Sequence, residues 1–513
     1  MSILKRTIEV LKNKFIFIAF VSCLLLGVVF IFYAKVTSNL TCIKVAYPNK
    51  WGDLSPSERK VATANSILMN IYEPLVVFKE NGQLGALGSR SWTISSDNRS
   101  VIFKINTSKK FSDGTRLSAK HYKQYFENSL NKNSNYKDSA LASLLGKVKG
   151  WEEFDKGKHL SGIRADDDET LEIIFNVPAS EAILDLALGR YGVVLERGDK
   201  SLGTGYYAIR ESGPNEIILI PNKYNIINNN SFCISVVPSE NAIEKMKKNE
   251  IDIFPKAEKV SNFNCNDDDQ IACLLGDEES HNLLELNTLK GKFFHSPEMR
   301  KGLFALIFTK KSIEHNIFSY IDPRFFFKFQ LGYLDERTLN KIIAENSKYI
   351  PLLMKKIQAQ KIKYMTGSAD DPVLKFLKDI GMQFTPDSGV YEVSELVKAI
   401  KKTHDADIVH LSLGVVSGDP GDIYYIFGKN GTMMSPMNYS EDLNVLFEMA
   451  EKELIRSKRE KIYLQISKLL IEDPKIIHIG FINRTSIYRK DKISIRGDKT
   501  ILNDRRLHFY ETR

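Results

Sequence analysis

The stretch from Ser91 to Leu130 restricts the fold more than any other part of this chain. Trp92 and Ile94 stand two apart, so both face one side of a strand. Ser95-Ser96-Asp97-Asn98 is a turn cluster, and Val101, Phe103 and Ile105 then recur at period two, with Ile102, Lys104 and Asn106 between them. That pattern predicts a hairpin with a buried face. Ser112-Asp113-Gly114 is a second turn, and Ser118 is placed to cap a helix whose inner face carries Tyr122, Phe126 and Leu130. The unit is β-hairpin then helix, and nothing in it is catalytic.

At 513 residues the chain exceeds what one core organises, so several structural units are expected. With 43% hydrophobic and 26% charged residues it is globular in composition. The net charge of +9 is mild for this length, and the lysines occur as short pairs rather than as a basic patch interleaved with aromatics, which argues against nucleic acid. The sequence contains no P-loop, HExxH or GxSxG motif, no paired catalytic constellation and no Cys/His set at zinc spacing. An enzyme, a bound cofactor and a metal centre are therefore not expected. Gly203-Thr204-Gly205 lacks the third glycine and the acidic partner of a dinucleotide site, and Asp166-Asp167-Asp168 lacks the spacing of a calcium loop.

Phe15–Ala34 is an uncharged apolar run, long enough at 1.5 Å per residue to cross a bilayer core of roughly 30 Å. Lys5, Arg6, Lys12 and Lys14 precede it, which keeps the N-terminus cytoplasmic and puts the body outside. The run is longer than the apolar core of most signal peptides, and Phe20-Val21-Ser22-Cys23 is a poor lipidation signal. An uncleaved anchor is favoured over a cleaved leader. Of the cysteines, Cys42, Cys233, Cys265 and Cys273 lie outside the run, enough for up to two disulfides in an exported body. Cys265 and Cys273 are the pair closest in sequence, and four free thiols is the alternative.

The ordered run WTISSDNRSVIFKI…KKFSDGTRLSAKHY resembles the signature of the family 5 extracellular solute-binding proteins, the peptide- and nickel-binding receptors of ABC importers. Further blocks resemble that family in family order from Ile43 to Ile487, least closely at 319–360. These include Tyr72-Glu73-Pro74-Leu75, the Gly-Thr-Gly turn before Tyr206, the Glu250–Ile253 strand end where Asn249 replaces a glycine, Asn287-Thr288, and the loop ending in Asp419-Pro420. The resemblance implies an α/β, two-lobed receptor of the periplasmic-binding-protein type with an accessory third domain, behind one N-terminal transmembrane helix. Its implied boundaries are 1–41 for the cytoplasmic end, anchor and linker; 42–73, 198–288 and 477–513 for lobe I; 74–197 for the accessory domain; and 289–476 for lobe III.

The apolar strand Ala406–Leu413 suits a buried parallel position, and the loop after it should face a cleft. The resemblance thus implies ligand contacts from Tyr72, Glu73, Leu413, Gly414, Val416 and Asp419, with Asn287 as the hinge. Glu73 reads either as a carboxylate for a ligand's positive group or as a helix-end charge, and Asp419 either as a ligand contact or as a helix cap. Pro74, Leu413 and Val416 depart from the family pattern: Leu413 stands where peptide receptors usually carry Trp, and Val416 where they place the Asp that holds a peptide's ammonium. The aromatics Tyr320, Phe325, Phe326, Phe327, Phe329 and Tyr333 read as core first and pocket lining second. The expected function is an extracytoplasmic solute-binding subunit of a peptide-type importer. It would capture an oligopeptide or similar solute by lobe closure and pass it to membrane permease subunits. The alternative is a membrane-anchored interaction or scaffold protein that kept the fold and lost or changed the ligand.

Overall fold

Two unusually long strands run through the middle of one mixed sheet and decide the architecture. Ile271–Leu286 and Ile476–Arg489 pair antiparallel along nearly their whole lengths, from Ile271 opposite Arg489 to Glu285 opposite Ile476. Across the sheet the order is Tyr207–Ser212, Glu216–Pro221, Ser231–Val236, Cys42–Tyr47, Ile253–Phe254, then the two long strands, then Ile408–Gly414, Tyr364–Thr366 and Gly389–Val390. The beginning of the first long strand and the end of the second therefore lie beside the Cys42–Tyr47 group, and their other halves lie beside Ile408–Gly414. The computed structural model describes residues 42–512 apart from 53, 55–61, 79–82, 133–140, 155–157, 256–267, 311–319, 329, 368–370, 392, 401–403, 415–419, 430–436 and 496–509.

The Ser91–Leu130 unit folds as its pattern predicts. Ser89–Ile94 pairs with Ser100–Ile105, Trp92 opposite Phe103, and the third strand, Thr170–Ile174, pairs on the other side with Leu171 opposite Phe103. Val101, Phe103 and Ile105 are fully buried, as are Tyr122, Phe126 and Leu130 of the helix Ala119–Lys132. The helix start is closed by Ser118, whose backbone N–H donates to His121 Nδ1 at 3.1 Å while its carbonyl accepts from the His121 N–H at 3.2 Å. This unit and the Cys42–Tyr47 half of the sheet share one continuous apolar core.

Beyond the long strands the sheet is covered on both faces, because alternate residues of a strand point to opposite sides. Leu284 and Leu286 pack with Leu303, Ile307, Tyr364 and Ile408, whereas Leu283 packs with Phe325, Phe427, Leu443, Ile466 and Ile476. Phe325, Phe326 and Phe327 are all buried, so the aromatic-rich stretch supplies core. Helices form at Pro297–Lys310, Pro372–Asp379, Glu441–Lys452 and Arg456–Glu472. Asn249 holds φ +63° just after the helix Ala242–Lys247, which explains a residue that tolerates left-handed backbone standing in a glycine's place.

Cys42 and Cys233 form a disulfide across neighbouring parallel strands, a pairing that sequence proximity did not suggest. Cys273 is also disulfide-bonded, and Cys265, its expected partner, lies outside the described residues. The apolar run Phe15–Ala34 lies outside them too; among the described residues no helix is long and apolar enough to cross a membrane.

Candidate functional site

Tyr72 and Glu73 are buried where the Ser91–Leu130 unit meets the Cys42–Tyr47 half of the sheet, each 1% exposed. Lys109 Nζ donates to both Glu73 carboxylate oxygens, at 2.8 and 2.6 Å, and Thr204 Oγ1 donates to Oε2 at 3.3 Å. The Glu73 carbonyl accepts from Tyr122 Oη and from the Val193 N–H, both at 3.2 Å. The carboxylate offered by sequence to a ligand's positive group is thus neutralised inside the chain. Gly203 and Gly205 allow this packing: a Cβ on either would fall within 2.4 Å of the Ile71 or Asn70 carbonyl oxygen. The Gly-x-Gly is a close backbone approach rather than a phosphate cradle. Lys109 also lies 5.8 Å from the centre of the Tyr206 ring.

Leu413 and Gly414 end the strand Ile408–Gly414, opposite His281 and Ser280 of the first long strand. Val416 and Asp419 lie outside the described residues. Two buried polar groups flank this strand end. On one face, His410 sits between Asp371 Oδ2 and Asn282 Oδ1, each 2.6 Å from a ring nitrogen. Tyr364 Oη donates to the same Asp371 oxygen at 2.8 Å, and Asp371 Oδ1 caps the helix Pro372–Asp379 by accepting from the Val373 and Leu374 N–H groups. Burial pushes the Asp371 carboxyl up, but the charge and hydrogen bond of His410, with Thr366 and Tyr364, outweigh it and hold the group well below the usual carboxylate range.

On the other face His281 and His478 meet, Nδ1 to Nε2 at 3.2 Å, among Phe325, Phe327 and Phe481. His478 Nδ1 lies 2.8 Å from the Asp322 carbonyl oxygen, so it carries the proton, and Nε2 is the acceptor for the His281 N–H. Burial drives His281 well below the ordinary histidine value, reinforced by His478. Burial also lowers His478, to about 3.

The register of the long strands breaks between Leu275 and Glu278 and again between Glu278 and Ser280, where the half beside Cys42–Tyr47 passes into the half beside Ile408–Gly414. Asn287 is elsewhere. It follows the far end of the strand, fully buried, with its N–H on the Asp407 carbonyl and its side-chain amide on the His404 and Ala406 carbonyls at 2.9 and 2.8 Å. An asparagine held this way pins a corner. A distant contact joins the Asn98 and Glu181 segments to the start of the helix Arg456–Glu472: Arg459 and Arg456 approach Glu181 Oε1 at 3.3 and 3.6 Å, and Asn98 Nδ2 donates to the Leu454 carbonyl at 2.9 Å. Glu181 and Arg459 are both buried. Sequence offered no signal for this pair, since neither residue belongs to a motif. Among the described residues, no group of three or more His, Cys, Asp or Glu side chains gathers as metal ligands do.

Comparison with known proteins agrees with the sequence resemblance. Residues 85–318 match the family model described as bacterial extracellular solute-binding proteins, family 5 Middle. No curated protein matches the chain in sequence. Solved structures do match over nearly full length. NikA from Brucella suis, in complex with Fe(III)-EDTA, is similar at a TM-score of 0.71 and 14% identity, covering 92% of this chain and 99% of its own. The periplasmic oligopeptide-binding protein OppAIV from Borrelia burgdorferi gives 0.68 and 16%, with 92% and 99% covered. The Escherichia coli murein tripeptide binding protein MppA gives 0.66 and 15%, with 92% and 98% covered. At such identities the likeness establishes the fold, a mixed α/β binding-protein architecture.

Proposed function

We propose, from the premise that residues 85–318 carry the family 5 solute-binding pattern within that fold, that the chain is an extracytoplasmic receptor delivering a peptide or similar small solute to the permease of an ABC importer. Phe15–Ala34 would tether it to the membrane, with the body on the outer face. The observation that carries this reading is the two-strand crossing: the two halves of one sheet are joined through Ile271–Leu286 and Ile476–Arg489, with the register broken midway. Such strands can bend without unmaking the packed lobes on either side, which is what closing around a solute requires. Bending is assigned to Leu275–Ser280, and Asn287 to anchoring lobe III.

The solute would lie beyond the end of Ile408–Gly414, against Leu413, Gly414 and the loop bearing Val416 and Asp419, and face the Tyr72–Glu73 segment across the cleft. Main-chain hydrogen bonds to an extended peptide supply affinity there without demanding particular side chains. With the Glu73 charge already matched by Lys109, a free peptide ammonium has no counter-charge from that residue. This favours solutes whose recognition does not rest on it. The same pairing also supports the second reading, an interaction protein on this fold. Differential scanning fluorimetry and calorimetric titration of the body against peptide mixtures test the proposal. Ligand-dependent stabilisation with a smaller radius of gyration in solution scattering is expected. Indifference to peptides together with a response to another solute would sink the peptide part, and indifference to all solutes would favour the second reading.

A further inference from the structure

Among the described residues, buried polar atoms without a hydrogen-bond partner fall in three places. Two of them each set a carboxyl group beside a guanidinium, Glu181 with Arg459 and Asp252 with Arg489. The third is different. Glu285 Oε2, both ring nitrogens of His404 and Asn438 Oδ1 are all buried and unpartnered. Glu285 is 1% exposed, Asn438 6%, and the His404 side chain 8%. The three side chains are already brought together: Asn438 Nδ2 donates to Glu285 Oε1 at 3.0 Å, and His404 Nε2 lies 3.8 Å from Glu285 Oε2.

That 3.8 Å separation is too long for a hydrogen bond. A tetrahedral ion about 2.0–2.2 Å from a carboxylate oxygen and an imidazole nitrogen holds them about 3.3–3.6 Å apart, so binding one here needs the two side chains to close by only a few tenths of an ångström. A carboxylate removed from water needs a cation or several donors, and here one oxygen has a single amide donor and the other has none among the described residues.

We propose that Glu285 Oε2, His404 Nε2 and Asn438 Oδ1 bind a divalent transition metal of the zinc class, with water completing the shell. The donor set is carboxylate, imidazole and amide oxygen, which suits a borderline ion. The ligands come from the end of the first long strand, the segment before Ile408–Gly414 and the segment before the helix Glu441–Lys452. Those segments already meet at this corner through Asn287 on the His404 carbonyl and Thr288 Oγ1 on the Met437 carbonyl. The site lies at the opposite end of Ile408–Gly414 from the proposed solute cleft, so its role is to fasten the corner, and binding free energy there becomes folding free energy.

The test uses the whole chain with a tag free of histidine runs. Inductively coupled plasma mass spectrometry should find stoichiometric zinc. The melting temperature should fall with EDTA and return with added zinc, and both responses should be lost in Glu285→Gln and His404→Asn. Should either variant fail to fold, Co²⁺ added to the EDTA-treated wild-type chain gives an independent reading: visible d–d absorption bands of a protein-bound ion are expected. Trace metal with a melting temperature indifferent to EDTA and zinc would overturn the proposal, as would Co²⁺ that shows only the spectrum of the hydrated ion. Either result would leave Glu285 and His404 as a close side-chain pair with no ion between them.

Discussion

Acid should loosen the long-strand pair through its facing histidines, His281 and His478, before it affects the carboxylate networks. His478 is lowered to about 3 and His281 well below its ordinary value, while an unfolded chain protonates histidine near 6.5. As pH falls below 6.5 the unfolded state takes up protons that the folded site refuses, so stability present above that pH is lost progressively until the folded group itself titrates. For His478 alone, moving from pH 7.5 to 5.0 costs about 2 kcal/mol, a factor of roughly 30 in the opening equilibrium, and His281 adds in the same direction. Asp371, held below the usual carboxylate range, loses its contribution only as pH drops under the ordinary carboxylate value, outside this window. Hydrogen exchange of the Ile476–Phe481 amides, corrected for intrinsic rates, reads the opening locally. Protection there should fall about thirtyfold or more in the wild type between the two pH values. It should fall much less in the double variant His281→Phe/His478→Phe, which removes both rings and leaves no orphaned donor among Phe325, Phe327 and Phe481. Equal losses in both proteins would refute the reasoning.

Three further outcomes are expected. Lys109→Met should destabilise by about 3–5 kcal/mol in denaturant unfolding, because it leaves the buried Glu73 carboxylate without its cation, and adding Glu73→Gln should recover much of the loss. Cys42→Ser/Cys233→Ser, or reduction, should lower stability by up to about 5 kcal/mol on chain-entropy grounds, since the bond closes a loop of sequence separation 191; a reductant-insensitive melting curve would contradict that. Glu181→Ala should loosen the contact between the helix Arg456–Glu472 and the Glu181 segment by removing the carboxylate that Arg456 and Arg459 approach, seen as a larger radius of gyration and weaker solute binding; unchanged scattering and affinity would remove the link from the closure mechanism.

Local pattern was enough wherever the deciding contacts are near in sequence. Trp92, Val101, Phe103 and Ile105 alternate, Tyr122, Phe126 and Leu130 recur at helical steps, and Asn249 can turn left-handed at little cost, so hairpin, helix and helix stop were legible in the residues themselves. The first long strand was only half legible. Leu283–Leu286 is apolar enough to mark a strand, but Gly276-Asp277-Glu278-Glu279-Ser280 carries no apolar alternation to extend it, and only pairing with Ile476–Arg489 makes the whole of Ile271–Leu286 extended. Charge matching was not legible at all. Glu73 looked free until the fold brought Lys109 to it, Cys42 found Cys233 because two parallel strands run side by side, and Glu285, His404 and Asn438 converge from three distant segments. Periodicity encodes which face of an element is buried; what a buried charge meets there depends on which elements the chain later lays against it, and that is settled only in three dimensions.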